Sequence, residues 1–466
     1  MTEGVTRMSQ KRKGSGKSPH KRFTIGFETE FLIIDKNGNI APGADAILKI
    51  ASDKAGDRGH IITKECAENM IELGSYPDIK GSNTMKSLLD GLKLLTYAAN
   101  EAGYMVLPLA TYPGRFKPWM RKEFRYKVQA ELFGKTRFDI AGRVVGYHCH
   151  YALPWGVFDQ KTLMLKNLSD SKNQEYMVNA FNFLIAADPA LTTLMQSSPF
   201  YQGRHLAKDS RVLVYRGGED VDYPKGLYAK MPDFGSLPRY VHAGTDIISR
   251  VEERYKKWIE ALKTAGVSDA QMPHYRSILD TNWRPLKVNA HGTFEQRGMD
   301  MNHLPILLSV SVLLQIIVCK IQDGDMKVVP HDSAKAEPFY YDDKERTLYI
   351  PPDTHVIKHL QKLSAYEGLA HDEMWYYCKR LVGLAKLIGG ESLAPLLQPL
   401  STMLSERMTT SDKILAQARA LGHKSTRKVL PQSIAAEIAL SHAKQMFEDM
   451  VIIEKMIDAG NGIQTN

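Results

Sequence analysis

Residues 23–35 read FTIGFETEFLIID, a run of aromatic and β-branched residues suited to an extended strand, yet it carries Glu28 and Glu30 at alternate positions. Side chains alternate across a strand, so the two acids share one face while Phe27, Thr29 and Phe31 share the other. One face therefore asks for a dry core and the other holds two neighbouring like charges. Such a pair repels unless a positive group lies between, and a divalent cation with a taste for oxygen, Mg²⁺ or Mn²⁺, meets that need. The plainer reading of the motif alone is a water-facing acidic pair on an edge strand.

Three further segments repeat the pattern. In Gly146-Tyr147-His148-Cys149-His150 the same alternation puts both imidazoles on one strand face, where they can meet a metal or a phosphate. Asn69-Met70-Ile71-Glu72-Leu73 places one acid in an apolar strand. Gly292-Thr293-Phe294-Glu295-Gln296-Arg297, with Trp283-Arg284-Pro285 before it and Asp300 beyond, sets Glu295 and Arg297 on a common face. A guanidinium beside a metal-binding carboxylate is what phosphoryl transfer requires, because charge grows on the phosphoryl oxygens in the transition state. Outward-facing acids, ordinary histidines and a simple salt bridge are the bland counterparts. The chain has no G-x-x-x-x-G-K-[ST], G-x-G-x-x-G or G-x-S-x-G motif, so a nucleotide would have to lie on the sheet itself, held by metals and arginines.

The chain has 466 residues, 43% hydrophobic and 24% charged, enough to bury a substantial core and too apolar for a wholly disordered chain. Residues 1–22 hold seven Lys/Arg against one Glu, so most of the net charge of +9 sits in a segment read as a disordered basic tail. The rest is nearly balanced and gives no case for nucleic acid. That tail lacks an apolar stretch of the signal-peptide kind, and four cysteines without C-x-x-C spacing indicate neither disulfides nor a zinc knuckle; a cytoplasmic location is expected. The apolar stretch 304–319 is too short and too interrupted by Ser309, Ser311 and Gln315 to span a bilayer and is read as a buried helix.

Periodicity predicts helices over 44–55, 82–102, 121–133, 245–265 and 303–321, and strands near 60–63, 69–76, 104–110 and 143–154. Residues 173–196 read as helices broken near Asp188-Pro189, 198–242 as irregular, and 353–466 as almost wholly helical. Strands interspersed with helices, without strict βαβ alternation, indicate an α+β fold with a largely antiparallel sheet.

In order and spacing, G-F-E-T-E, M-I-E-L, G-Y-H-C-H, S-S-P-F-Y-Q-G-R and T-F-E-Q-R-G-M-D-M-N, together spanning about residues 23–303, resemble the glutamate-cysteine ligase family, specifically its type 2 or carboxylate-amine ligase branch. The resemblance implies a glutamine-synthetase-like fold, a curved antiparallel sheet flanked by helices and forming a funnel for ATP, divalent cations and an amino acid. It implies a catalytic core over 23–330 and a mainly helical C-terminal part, 331–466, packed on it. It puts Glu28, Glu30, Glu72, His148 and Glu295 at metal positions and Arg297 on the transferring phosphate, with Glu295 and Arg297 catalytic. Ser198, Arg204, Arg284 and His150 fall near ATP or substrate. Glu65 and Glu68 remain unassigned, and Gln296 and Gly298-Met299 stand where the family more often has small apolar residues.

The implied reaction joins a carboxylate, such as the γ-carboxylate of glutamate, to an amine such as cysteine through an acyl phosphate made from ATP. The partners are then small amino acid and amine substrates, with no membrane, and the C-terminal helices leave room for a homo-oligomer. Three other classes compete: a phosphagen-type kinase, a non-enzymatic relative that binds nucleotide or amino acid, and an H-x-H metallohydrolase. The number of acids and the absence of a suitably spaced third histidine weigh against the last.

Overall fold

The computed structural model describes residues 23–56, 61–167, 171–268, 277–425 and 427–461; the basic tail expected over 1–22, and His60 of one expected strand, lie outside them. Seven strands form the central sheet: β1 (Ile25–Asp35), β2 (Ile62–Lys64), β3 (Met70–Gly74), β4 (Tyr104–Leu107), β5 (Gly146–Ala152), β6 (Leu286–Val288) and β7 (Thr293–Asp300). Their order is β6-β7-β5-β1-β3-β2, with β4 also paired to β1, and every pairing is antiparallel. The length of β1 lets three strands share it: β5 takes Ile25–Thr29, β3 takes Glu28–Leu32 and β4 takes Leu32–Asp35.

The apolar face of this sheet is covered by helices. Phe27 and Phe31 of β1, Tyr147, Cys149 and Tyr151 of β5, and Phe294 of β7 are buried. Phe27 packs on Tyr147 with ring centroids 5.9 Å apart. We label the main helices α1 (Ala44–Ala55), α2 (Gly81–Glu101), α3 (Lys172–Leu194), α4 (Gly244–Thr264), α5 (Leu304–Gln322), α6 (Asp372–Gly389) and α7 (Gln432–Asn461). Apolar positions 85, 88, 89, 92, 95 and 99 of α2 form its buried stripe, and Gly103, at φ 83°, turns the chain out of it.

Among the described residues α5 is the one helix long and apolar enough to cross a membrane, and here it is mostly buried inside the protein. The serines that interrupt its apolar run are satisfied there. Ser309 Oγ donates to Leu396 O at 2.7 Å, and Ser311 Oγ meets Tyr147 OH at 2.5 Å. Each fully buried Leu or Ile of this helix contributes roughly 1.5–3 kcal/mol, and Leu307, Leu313, Leu314, Ile317 and Ile321 are all in that state.

One expectation needs correction. Residues 172–194 form one helix, not two, with Pro189 inside it. Proline removes a helix hydrogen bond, but this helix is buried along nearly its whole length, so packing from all sides holds it through the defect. Phe181 packs on Phe294 with its ring tilted, and Phe183 meets Phe339 edge to face. The expected division at 330/331 falls at a small sheet, where Lys327–Pro330 pairs in parallel with Thr347–Ile350, which pairs in turn with Tyr340–Asp342. The C-terminal helices share one core with the strands, because Leu381 of α6 and Ile438 of α7 belong to the same buried cluster as Phe31 and Phe294.

Two buried polar assemblies tie this core together. Asp188 of α3 accepts from Arg216 Nη1 at 2.6 Å and Nη2 at 3.0 Å, and also from Gln296 Nε2 at 3.0 Å. Removing one partner of a buried pair strands the other charge. Asp188→Ala is expected to destabilise the protein by about 3–5 kcal/mol, read as a lower denaturation midpoint in urea.

In the second assembly His303 Nδ1 lies 2.6 Å from Asp449 Oδ2, and His303 Nε2 lies 2.8 Å from His442 Nδ1. Burial, helped by His303, pushes the His442 imidazole down to about 3. Its neutral form is favoured by the fold, so its contribution is complete above the unfolded value near 6.5 and is lost as pH falls toward 3. Stability should therefore drop by up to about 1.4 kcal/mol per pH unit below 6.5 from this group alone. His442→Gln should make that slope shallower in urea titrations between pH 4 and 6.5.

Candidate active site on the open sheet face

The registers convert four separate motifs into one row. Glu72 stands opposite Glu30, Glu28 opposite His148, His150 opposite Glu295, and Glu295 opposite Lys287. Cross-strand partners share a face, as do residues two apart, so Glu72, Glu30, Glu28, His148, His150, Glu295 and Lys287 all project from the side opposite the helices.

The middle of the row is a carboxylate–imidazole mesh. Glu28 Oε2 lies 3.2 Å from His148 Nδ1 and 3.1 Å from His150 Nε2, while Glu30 Oε1 is 3.5 Å from His148 Nε2. Burial alone would raise the Glu28 carboxyl, but His150 and His148 outweigh it and hold it well below the carboxylate range. Burial likewise opposes the charged form of His150, and Glu28 and Glu295 overcome it, so this imidazole is held above its ordinary value. Neither His148 Nε2 nor His150 Nε2 makes a well-directed hydrogen bond, although both are buried.

At one end Glu295 is gripped by cations. Lys287 Nζ is 3.1 Å from its Oε2, Arg297 Nη1 is 3.3 Å from its Oε1, and Asn289 Nδ2 donates to Oε2 at 3.2 Å. Against the cost of burial, Lys287, Arg297 and His150 bring the Glu295 carboxyl down to about 2. Arg297 stays charged for the reciprocal reason: burial disfavours its cation, and Glu295 more than restores it. Its Nε is buried without a partner.

At the other end charges of one sign collect. Glu65 joins Glu30 and Glu72, with one donor oxygen from each inside a 4.8 Å cluster. Burial and the neighbouring acids raise Glu65 well above the usual range, and burial with Glu28 and Glu30 pushes Glu72 up to about 7. Glu28, His150 and Glu295 form a second cluster of the same dimension beside it. The donor chemistry of both fits divalent ions: crowded carboxylates with no cation of their own at one, and a buried imidazole nitrogen lacking a directed hydrogen bond at the other.

Arg297 is aimed by a β-bulge. The β7–β5 register shifts between Gln296 and Met299, which leaves Arg297 on the site face while Gln296 turns back to Asp188. Arg211 holds the bulge by donating to Gly298 O at 3.1 Å and Arg297 O at 3.3 Å. Ser198 belongs to this support: its Oγ accepts from Arg211 N at 3.2 Å and donates to Asp209 Oδ1 at 3.4 Å.

The remaining expected residues are elsewhere. Arg204 is exposed on a hairpin formed by Phe200–Tyr201 and Arg204–His205. Arg284 turns to Asp233, donating from Nε to its backbone O at 2.8 Å. Beside it the buried Arg254 has Nε and Nη2 unpartnered, and burial together with Arg284 pushes its guanidinium down to about 9. The row thus unites Glu28, Glu30, Glu72, His148, His150, Glu295 and Arg297 and leaves Ser198, Arg204 and Arg284 outside it.

Lys287, Asn289, Arg211 and Arg254 were not singled out from sequence, and Glu65 was named there without a role. Lys287 and Asn289 carried a faint signal, since they alternate along the strand and turn leading into Glu295. Glu65 follows β2 at a bend, where alternation no longer tells direction.

The comparisons with known proteins agree with this geometry. Residues 24–346 match the model of Glutamate-cysteine ligase family 2, and the chain belongs to that family. It is 23% identical over 250 residues to the "Putative glutamate--cysteine ligase 2" of Jannaschia sp. (strain CCS1), covering 53% of this chain and 59% of that one. To the protein of the same name from Ruegeria pomeroyi it is 22% identical over 326 residues, covering 67% and 70%. The match to the Jannaschia relative thus spans 59% of that protein's length. In fold it is similar to a glutamate–cysteine ligase from Francisella tularensis in complex with AMP, with TM-score 0.52, 14% identity and coverage of 95% and 93%. It is also similar to a bifunctional glutathione synthetase from Pasteurella multocida, with TM-score 0.54, 16% identity and coverage of 92% and 52%.

Gly298 offers a test of the bulge. A Cβ there would lie 2.5 Å from Arg216 Nη2 and 2.6 Å from Asp188 Oδ1, atoms locked in the buried pair. Gly298→Ala should cost about 1–3 kcal/mol in urea denaturation, and it should lower turnover beyond the folded fraction by shifting Arg297.

Proposed function

We propose that this chain is an ATP-dependent carboxylate-amine ligase of the glutamate-cysteine ligase type. The observation that carries the reading is the half-buried Arg297 beside two adjoining donor clusters, Glu28–His150–Glu295 and Glu30–Glu65–Glu72, on one sheet face. Membership of Glutamate-cysteine ligase family 2 supports it, as does the fold shared with a glutamate–cysteine ligase.

Those clusters would hold Mg²⁺ or Mn²⁺, which supplies charge neutralisation on phosphate oxygens. In the proposed reaction a carboxylate oxygen of the acid substrate attacks the γ-phosphorus of ATP and ADP leaves, giving an acyl phosphate. The amine nitrogen then attacks the acyl carbon, phosphate departs, and an amide remains. Arg297 stabilises charge on the transferred phosphoryl group; Glu295, held ionised by Lys287 and Arg297, fixes the guanidinium in place. His148 and His150 keep Glu28 ionised and oriented. Arg254 and Arg284, two arginines facing one aspartate, suit an anionic group of a substrate, either a carboxylate or a phosphate. Glutamate as the acid and cysteine as the amine are the first pair to test.

The test is release of ADP and phosphate from ATP with Mg²⁺ or Mn²⁺, glutamate and a panel of amines, with mass spectrometry of products and hydroxylamine as a trap. An amine-dependent γ-glutamyl product is expected. Arg297→Lys should lower kcat by about 10²–10³-fold, the usual loss when a transition-state charge contact goes. A phosphorylated product with no amide or hydroxamate would replace the ligase with a kinase, and nucleotide binding without ATP consumption would replace it with a binding protein.

A further inference from the structure

A second set of metal-type donors lies away from the sheet, in the C-terminal helices. Residues 353–366 form one continuous helical segment whose middle, Val356–Leu360, is wound as a π-helix. Such local rewinding is frequent at functional sites. It carries His355 and His359, four residues apart, and Glu373 faces them from the first turn of α6.

The three side chains converge. His355 Nε2 is 3.1 Å from Glu373 Oε1, and His359 Nε2 is 2.8 Å from Glu373 Oε2. The rings lie nearly parallel at 28°, with centroids 4.8 Å apart, so both Nε2 atoms turn to the same carboxylate. One ligand atom from each residue falls within a 4.8 Å cluster.

We propose that His355, His359 and Glu373 bind a transition-metal ion of the Zn²⁺ type and thereby clamp the 353–366 helix to α6. Two histidines four apart on one helix are a chelating pair, because that spacing puts both rings on one side. Around a tetrahedral ion with bonds of about 2.1 Å, donor atoms stand about 3.4 Å apart. The two N···O separations, 3.1 and 2.8 Å, are about 0.3 and 0.6 Å shorter than that, so the ion needs an outward adjustment of the side chains.

The site's placement supplies the remaining requirements. Val356, Ile357 and Leu360 on one side and Met374 and Tyr377 on the other are buried, so the two backbones are fixed before any ion arrives. His359 and Glu373 are 47% and 40% exposed, which leaves an entry path and room for water as a fourth ligand. Imidazole also sets the selectivity. Two nitrogens and one carboxylate favour Zn²⁺, Co²⁺ or Ni²⁺ over Mg²⁺, so this ion would not be exchanged by the magnesium an ATP-dependent enzyme works in.

The experiment is titration of the chelator-treated full chain with Zn²⁺ in excess Mg²⁺, followed by calorimetry and by the thermal midpoint. The wild type is expected to bind one more equivalent of Zn²⁺ than His355→Ala/His359→Ala, and to gain a Zn²⁺-dependent rise in midpoint that the variant lacks. A Glu28→Gln/His150→Ala variant should keep that equivalent, which separates it from any ion held on the sheet. Half-exposed His359→Gln, a milder change, should lose the same equivalent if the double variant folds poorly. Equal Zn²⁺ stoichiometry in wild type and both His355/His359-site variants would overturn the proposal and leave the trio as a hydrogen-bonded cluster. So would no Zn²⁺ binding by the wild type in Mg²⁺.

Discussion

The pairing of β1 between β3 and β5 is the constraint from which the rest follows. It sets Glu30 against Glu72 and Glu28 against His148, and through β5 it carries His150 to Glu295. A slip of one residue in any of these registers would send a charged group into the helical layer and an aromatic ring into the site. The apolar side of the same strands guards against that slip: Phe27, Tyr147 and Phe294 are buried against α5 and α3, and they cannot leave that face without exposing their area to water. The chemistry of the open face is thus held in place by packing on the closed one.

That arrangement concentrates charge at a cost. Glu28 and Glu295 are kept ionised by imidazole, ammonium and guanidinium groups, whereas Glu65 and Glu72 have mostly each other and are driven toward the protonated state. The unequal neutralisation along one row follows from which groups each acid faces: cations at one end, other carboxylates at the other. Behind it stands a scaffold of buried polar contacts, in which Ser198, Asp209 and Arg211 hold the bulge at Gly298 while Arg216, Asp188 and Gln296 lock its reverse side. These residues lie outside the row and still decide where Arg297 points.

Much of this was legible in the chain. The alternation in F-E-T-E-F and Y-H-C-H-Y gave the faces of β1 and β5, and the 3.6-residue stripe of residues 85–99 gave α2, because strand and helix periods are local properties. Ser198 and Arg284 sit in segments whose order along the chain matched the family, yet their side chains are directed to Asp209 and Asp233. Motif order carries no information about side-chain direction in irregular chain. Pro189 misled for a related reason: its local cost is real, but α3 is surrounded by other elements, and their packing outweighs it.

The sequence by itself determined which residues would share a strand or helix face, since that needs only the geometry of the backbone repeat. It also determined the family, through motifs in fixed order. The tertiary structure alone decided which faces meet. Glu65 reaches Glu72 across a bend, Lys287 and Asn289 reach Glu295 across a hairpin, and His355 and His359 reach Glu373 across two helices. Those meetings depend on strand register, a bulge and helix packing, all set by the summed burial of many distant side chains, and no local period encodes them.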